Sequence, residues 1–270
     1  MITFNSVSKI YPSGAKAVED FSLEISTGET LVLVGSSGSG KTTLLRMINR
    51  MEEPTEGQVL INDEDVSSRD PVILRRNIGY VPQNAGLMPH QTVLENVAIL
   101  PILQGYQKNE SRDKAGMYLE MVGIDQSMWK RYPTQLSGGQ AQRVAVARAL
   151  ACEGDILLMD EPFGAVDPIV RRELQDQVKV LKEKLDKSIV FVTHDIEEAF
   201  YLGTRIVILK KGGEVAQVGT PQEISEHPED EFVSSFIGDF HHERMLHIVN
   251  EDGRNIVVDE SDRAIGVISE

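Results

Sequence analysis

The sequence predicts an α/β protein, a parallel sheet with a helical lobe inserted into it, and three observations carry that expectation. Residues 30–34, TLVLV, form a β-branched apolar run with no helical period, whereas Leu44, Leu45 and Ile48 beyond them recur at helical spacing. Strands of the same buried kind return at 156–160, 188–193 and 205–209, with helix-length intervals between them. Residues 91–151 instead carry helical patterning broken only by Gly, Pro and short polar segments, so sheet bounds the lobe on both sides.

The elements follow in order. Residues 2–7 and 21–25 read as strands ahead of the central run, joined by a segment that is turn-like at Pro12 to Gly14. Residues 57–61 and 78–81 read as further strands, and Gln83 follows the second after Pro82. Thr92 and Glu95 have the spacing of a capping box at the start of the helical lobe. Beyond about residue 240 the character changes. Three short strands at 245–250, 255–259 and 264–268 are separated by Asp-Gly and acidic turns and are too small to bury a core alone. They form either a tail packed on the main domain or the beginning of a second one.

Composition narrows the function classes. With 270 residues, 41% of them hydrophobic, the chain has material for one sizeable core or a core and a smaller lobe. The single cysteine, Cys152, excludes an intramolecular disulfide and suits a reducing compartment, and the N-terminal residues lack a secretion-signal pattern. No apolar run approaches the ~18 residues of a membrane span, so a membrane role is expected only through a partner. A net charge of −15 without a Lys/Arg cluster argues against nucleic acid. The acidity peaks at 223–231 and after 251 and reads as a solvated face. His241, His242 and His247 are not expected to hold a metal, because adjacent histidines do not readily converge and no acidic or thiol set joins them.

The chemistry begins at Gly35, Ser36, Ser37, Gly38, Ser39, Gly40, Lys41 and Thr42, which fit G-x-x-x-x-G-K-[ST] between a strand and a helix. Glycines let the backbone curl until successive N–H groups face one phosphate, and the helix adds its positive end. Lys41 is expected on the β- and γ-phosphates of ATP, and the Thr42 hydroxyl on Mg²⁺. Thr43, next on the helix, joins the ATP-binding set. Tyr11 is either an ordinary strand-end tyrosine or an exposed ring placed to stack on the adenine.

Two more motifs complete the constellation. Residues 156–161, ILLMDE, read as a buried strand ending in two carboxylates, with Asp160 expected to hold Mg²⁺ through its water shell and Glu161 to polarise the attacking water; a solvated strand end is the alternative. Leu136 is followed by Ser137, Gly138, Gly139 and Gln140 and then a helical run, a second anion site with Ser137 as its cap. One ATP does not need both loops of one chain. A head-to-tail dimer, in which residues 137–140 close over the ATP on the other chain's Lys41 loop, uses both.

This set resembles the ATP-binding subunit of ABC transporters over about residues 1–240. The resemblance implies a P-loop NTPase (RecA-like) core with an antiparallel β subdomain, an inserted α-helical subdomain at roughly 86–153 and a short C-terminal extension, 241–270. It implies Tyr11 at the adenine, Gln83 as the Q-loop glutamine joining Mg²⁺ to the transmembrane partner, and His194 at the γ-phosphate. It also makes Ala165, Val166 and Asp167 the D-loop, with Asp167 acting in trans. Catalysis is thereby assigned to Glu161, His194, Gln83 and Lys41, and Mg²⁺ to Thr42, Gln83 and Asp160. Partners implied are a second copy of the chain, permease subunits on the cytoplasmic face of the membrane and, indirectly, a solute-binding protein.

The wording of residues 47–66, 70–99 and 160–175 is similar to the osmoprotectant branch, importers of glycine betaine, carnitine or choline. An importer of another small solute such as an amino acid, an exporter, and a non-transport ABC ATPase stand as alternatives. The D-loop's Val166, where leucine is commoner, and Asp63, where many relatives carry a turn glycine, are departures that leave catalysis untouched. Some 30 residues after 240 are too few for the paired regulatory modules common in that branch.

Overall fold

The chain enters through an antiparallel pair, β1 (Ile2–Ile10) and β2 (Lys16–Ile25), turned at Pro12–Gly14 where the Tyr11 N–H donates to Ala15 O at 2.9 Å. In this computed structural model the described residues are 1–164, 166, 168–184, 187–238, 247–251, 254–258 and 264–267. They belong to two compact units, Met1–Pro221 and Gln222–Glu270. The boundary expected near residue 240 falls within the second of these.

In the first unit β3 (Thr30–Gly35) is buried at every residue and leads into α1 (Lys41–Ile48). β4 (Glu56–Ile61) and β5 (Glu64–Asp65) complete a four-stranded sheet of order β2-β1-β4-β5. Asn62 and Asp63 make the tight turn between them, both with positive φ (51° and 64°), which Asn and Asp tolerate better than most residues. α2 (Pro71–Arg76) follows, capped by Asp70, and then β6 (Ile78–Val81).

The helical lobe comprises α3 (Val93–Leu103), α4 (Lys108–Met121) and α5 (Gly138–Leu150), each packed on the other two. Thr92 and Glu95 form the expected capping box on α3. Gly116 in α4 admits the Trp129 ring, which a Cβ would meet at 2.5 Å. Sheet structure resumes with β7 (Ile156–Asp160), α6 (Pro168–Lys184), β8 (Ser188–Thr193), α7 (Ile196–Leu202), β9 (Arg205–Leu209) and β10 (Val215–Gly219). The six-stranded sheet has order β10-β9-β3-β8-β7-β6, parallel except for the β9–β10 hairpin.

One core joins both sheets. Ile2, Phe4 and Phe21 meet Leu31, Leu33, Val190 and Val192 through Leu44, Leu45 and Ile48 of α1, all essentially solvent-free. Each such side chain contributes roughly 1.5–3 kcal/mol.

The second unit holds α8 from Gln222 onward (Pro221–Glu226 in full), α9 (Glu231–Ile237), and a three-stranded antiparallel sheet of β11 (His247–Glu251), β12 (Arg254–Val258) and β13 (Ala264–Val267). The three late strands expected from sequence are thus present with ends shifted by up to two residues. His241 and His242 lie outside the described residues, as does the side chain of His247. Among the described residues no helix is long and apolar enough to cross a membrane.

Candidate active site

Parallel strands carry their carboxyl ends to one edge of a sheet, where α/β proteins build their sites. Here β3 runs into the phosphate loop, β8 ends one residue before His194, β7 ends at Asp160, and β6 ends two residues before Gln83. Because β8 lies between β3 and β7, and β6 beside β7, groups far apart in sequence become neighbours.

Lys41 is 5% exposed, and its ammonium donates to Gly35 O at 2.8 Å, Ser36 O at 2.8 Å and Ser39 Oγ at 3.2 Å. Burial lowers its pKa below the ordinary lysine value against the opposing pull of Glu161 and Asp160. All three ammonium donors are matched, so a phosphate oxygen engages Lys41 by displacing a loop oxygen. Gly38 and Gly40 hold φ of 80° and 85°; a Cβ on Gly38 meets open space, one on Gly40 the Ala17 carbonyl at 2.4 Å. α1 has no side-chain cap, which leaves its first N–H groups to the space in front of the loop. Such an uncapped end beside a buried ammonium suits a polyanion.

The Thr42 hydroxyl donates to Asp160 Oδ1 at 2.8 Å. These two hard oxygen donors suit Mg²⁺, which takes one or two protein ligands and completes its shell with phosphates and water. Asp160 Oδ2 accepts from Tyr80 Oη at 3.2 Å and from Arg46 Nη2 at 3.4 Å. Burial raises the Tyr80 phenol's pKa, Asp160 adds to the rise and Arg46 opposes it, so Tyr80 stays a donor.

Glu161 stands at φ 45°, left-handed backbone that is strained for a non-glycine residue. Its Oε2 accepts from Gln83 Nε2 at 3.0 Å and lies 3.3 Å from His194 Nδ1. Gln83 and His194 therefore converge on one carboxylate oxygen of Glu161. The loop after Gln83 is held from the lobe. Arg148 of α5 donates to Ala85 O and Gly86 O, each at 2.8 Å, and the buried Asn96 donates to Met88 O, Gln91 O and Thr92 O.

Tyr11 is partly buried just past the end of β1, its hydroxyl 3.5 Å from Thr43 Oγ1 and the Lys9 ammonium 5.4 Å from its ring centre. Ser137 caps α5 as expected, accepting from Gln140 N at 3.3 Å, while Gln140 Oε1 accepts from Ser137 N at 3.0 Å. This reciprocal box leaves the N–H groups of Gly138 and Gly139 as the anion-facing part of that end. Asp167 and Ala165 lie outside the described residues. Val166 is described and buried, and its carbonyl accepts from Arg171 at 3.4 Å.

Tyr80 and Arg46 belong to none of the sequence motifs. Arg46 carries a weak signal, one helical turn after Thr42; Tyr80 becomes visible only once β6 is registered against β7.

The family model described as ABC transporter matches residues 18–164, more than half of the chain. The carnitine transport ATP-binding protein OpuCA of Listeria monocytogenes is 50% identical over 238 residues, 88% of this chain and 60% of that protein. The choline transport ATP-binding protein OpuBA of Bacillus subtilis is 50% identical over 238 residues, 88% of this chain and 62% of that protein. The chain thus spans about three fifths of the length of these curated relatives. A solved dimer of the ATP-binding cassette MJ0796, in a post-hydrolysis state bound to ADP and Pi, matches with a TM-score of 0.75 at 37% identity, covering 82% of this chain and 99% of that one. With the phosphate loop, the paired carboxylates and the capped α5 on one fold, the chain belongs to the ABC transporter family as one of its ATP-binding cassettes.

Proposed function

We propose that residues 1–240 bind and hydrolyse Mg·ATP in a head-to-tail homodimer and drive a membrane permease that takes up quaternary-amine osmoprotectants, with 241–270 as an extension. The observation that carries the hydrolytic reading is the convergence of Gln83 and His194 on Glu161 Oε2, next to the Thr42–Asp160 pair. Glu161 polarises the attacking water, Gln83 holds its carboxylate in place, His194 beside the same oxygen contacts the γ-phosphate, and Lys41 with the α1 N-terminus binds the phosphates. Thr42, Asp160 and Gln83 would hold Mg²⁺, which would neutralise phosphate charge. Tyr11 flanks the adenine. Ser137, Gly138, Gly139, Gln140 and Asp167 act on the nucleotide of the partner copy.

A groove of about 500 Å³ is the proposed docking place for a permease at the cytoplasmic face of the membrane, through which a solute-binding protein joins indirectly. Ile73, Leu103, Gln104, Tyr106 and Glu153 line it, and Ile73 is 61% exposed. The solute class rests on the osmoprotectant-like wording of residues 47–66, 70–99 and 160–175 and on similarity to carnitine and choline transport proteins, because recognition of the solute belongs to other subunits.

The decisive variant is Glu161→Gln, which keeps the acceptor but not the charge. Expected are ATP binding, accumulation of an ATP-bound dimer on size exclusion, and turnover lower by ~10³-fold, a typical loss for a general base. Near-normal hydrolysis removes Glu161 from that role. Co-purification with the permease, then uptake assays with labelled glycine betaine, carnitine and choline, tests the solute; accumulation of none of them removes the osmoprotectant assignment.

A further inference from the structure

We infer that Tyr80, assisted by Arg46, is a positioning residue for Asp160 and sets how tightly the Thr42–Asp160 pair holds a divalent cation. The inference rests on the reading of that pair as the Mg²⁺ site. Asp160 is 3% exposed, so its carboxylate has little water to satisfy it and depends on protein donors. Those donors are sorted by oxygen: Thr42 on Oδ1, Tyr80 and Arg46 on Oδ2. A carboxylate fixed on one oxygen cannot rotate to exchange the two, so Oδ1 stays beside the Thr42 hydroxyl.

The topology explains why Tyr80 reaches. β6 and β7 are parallel neighbours with Tyr80 opposite Leu158, so Asp160 is the diagonal residue on the same face of the sheet. Arg46 reaches from α1 one turn beyond Thr42. It is the weaker holder, at 3.4 Å with its side chain 43% exposed and its Nε buried without an acceptor. Tyr80 is therefore the donor whose loss frees Oδ2. It also stands three residues before Gln83, so the strand that orients the metal carboxylate is the one that delivers the glutamine to Glu161.

Groups that hydrogen-bond to metal ligands typically account for ~10–100-fold in metal affinity. Tyr80→Phe removes one oxygen and keeps the ring that packs against the core. Mn²⁺ binding to the full chain with saturating ADP, followed by electron paramagnetic resonance, reads the site without turnover. ADP affinity in EDTA reads the nucleotide loop alone. The expected result is a Mn²⁺ dissociation constant raised ~10-fold, with ADP affinity in EDTA unchanged. A Mn²⁺ affinity within twofold of wild type overturns the inference, as does an equal loss of ADP affinity in EDTA, which would mark a general packing role. If the wild-type chain shows no ADP-dependent Mn²⁺ site, the metal assignment falls and the inference with it; if that site is present but insensitive to Tyr80, only the inference falls.

Discussion

Glu198, four residues beyond His194, is an ionisable side chain that the hydrolytic reading leaves without a role, yet it is almost fully buried. Its Oε2 accepts from Thr193 Oγ1 at 2.7 Å and its Oε1 from Gln175 at 3.3 Å, with Arg171 3.9 Å away and Asp195 close in sequence. Burial raises its pKa, Asp195 adds to the rise, and Thr193, Arg171 and Gln175 offset only part of it. A carboxyl whose folded pKa lies above its unfolded value favours folding in its protonated form. Its contribution is full below the unfolded value near 4.5 and declines as pH rises through the folded pKa. Glu198→Gln cannot ionise and escapes that decline. Urea denaturation of both chains should show similar stability at and below pH 4.5 and an advantage for the variant that grows as pH rises and levels off above the folded pKa; a wild type that gains on the variant as pH rises contradicts the sign. Glu161 illustrates a different residue-scale cost, because its left-handed backbone persists only where surrounding structure imposes it, here the bond from its N–H to Val192 O at 2.9 Å.

At the scale of elements, α5 joins two parts of the proposed site. Its N-terminus carries Ser137 and the glycines, and its far end carries Arg148, which grips the loop behind Gln83. Charged hydrogen bonds of this kind contribute about 1.5–3 kcal/mol each, and burial lowers the Arg148 pKa only from an already very high value, so the grip holds across the working pH range. In a Glu161→Gln background, Arg148→Met should leave monomer ATP affinity within about threefold and weaken the ATP-bound dimer ~10-fold or more by sedimentation, because the lobe no longer follows the Gln83 loop. An unchanged dimer refutes that linkage. Sequence legibility also divides by element. β3, β6, β7, β8 and β9 are buried strands of a largely parallel sheet, nearly continuous apolar runs, and their limits were readable to within a residue. β1 and β2 extend three and five residues beyond what the pattern suggested, because register shifts and positive φ at Ser6 and Asp20 break the period-2 alternation. β10, VAQVG after two glycines, offered too little pattern to be seen. The motif residues were legible because phosphate chemistry restricts which residues serve. Tyr80, Arg46 and Arg148 were not, since their partners lie 80, 114 and about 62 positions away in sequence.

At the scale of the whole molecule, the composite-site model makes two opposed terms measurable. Each chain carries a formal charge of −15, so bringing two together costs electrostatic work at long range. ATP adds negative charge at each site, offset in the proposed dimer by its Mg²⁺ and by local donors, Lys41 with the α1 N-terminus on one copy and the α5 N-terminus on the other. Short-range contacts are screened less than repulsion between exposed charges farther apart than the Debye length, ~30 Å at 0.01 M and ~8 Å at 0.15 M. The ATP-bound dimer of Glu161→Gln should therefore tighten as salt rises over that range, opposite to an association built on surface ion pairs. Wild-type turnover per chain should fall in proportion to concentration once the protein is mostly monomeric, because in the proposed dimer each active site draws residues from two chains. Steady-state hydrolysis over a hundredfold dilution, paired with sedimentation at the same concentrations, checks both. A turnover per chain that stays constant into the monomeric range sinks the shared site, and a dimer that weakens with salt shows that complementary charges at the interface outweigh the repulsion between the two chains.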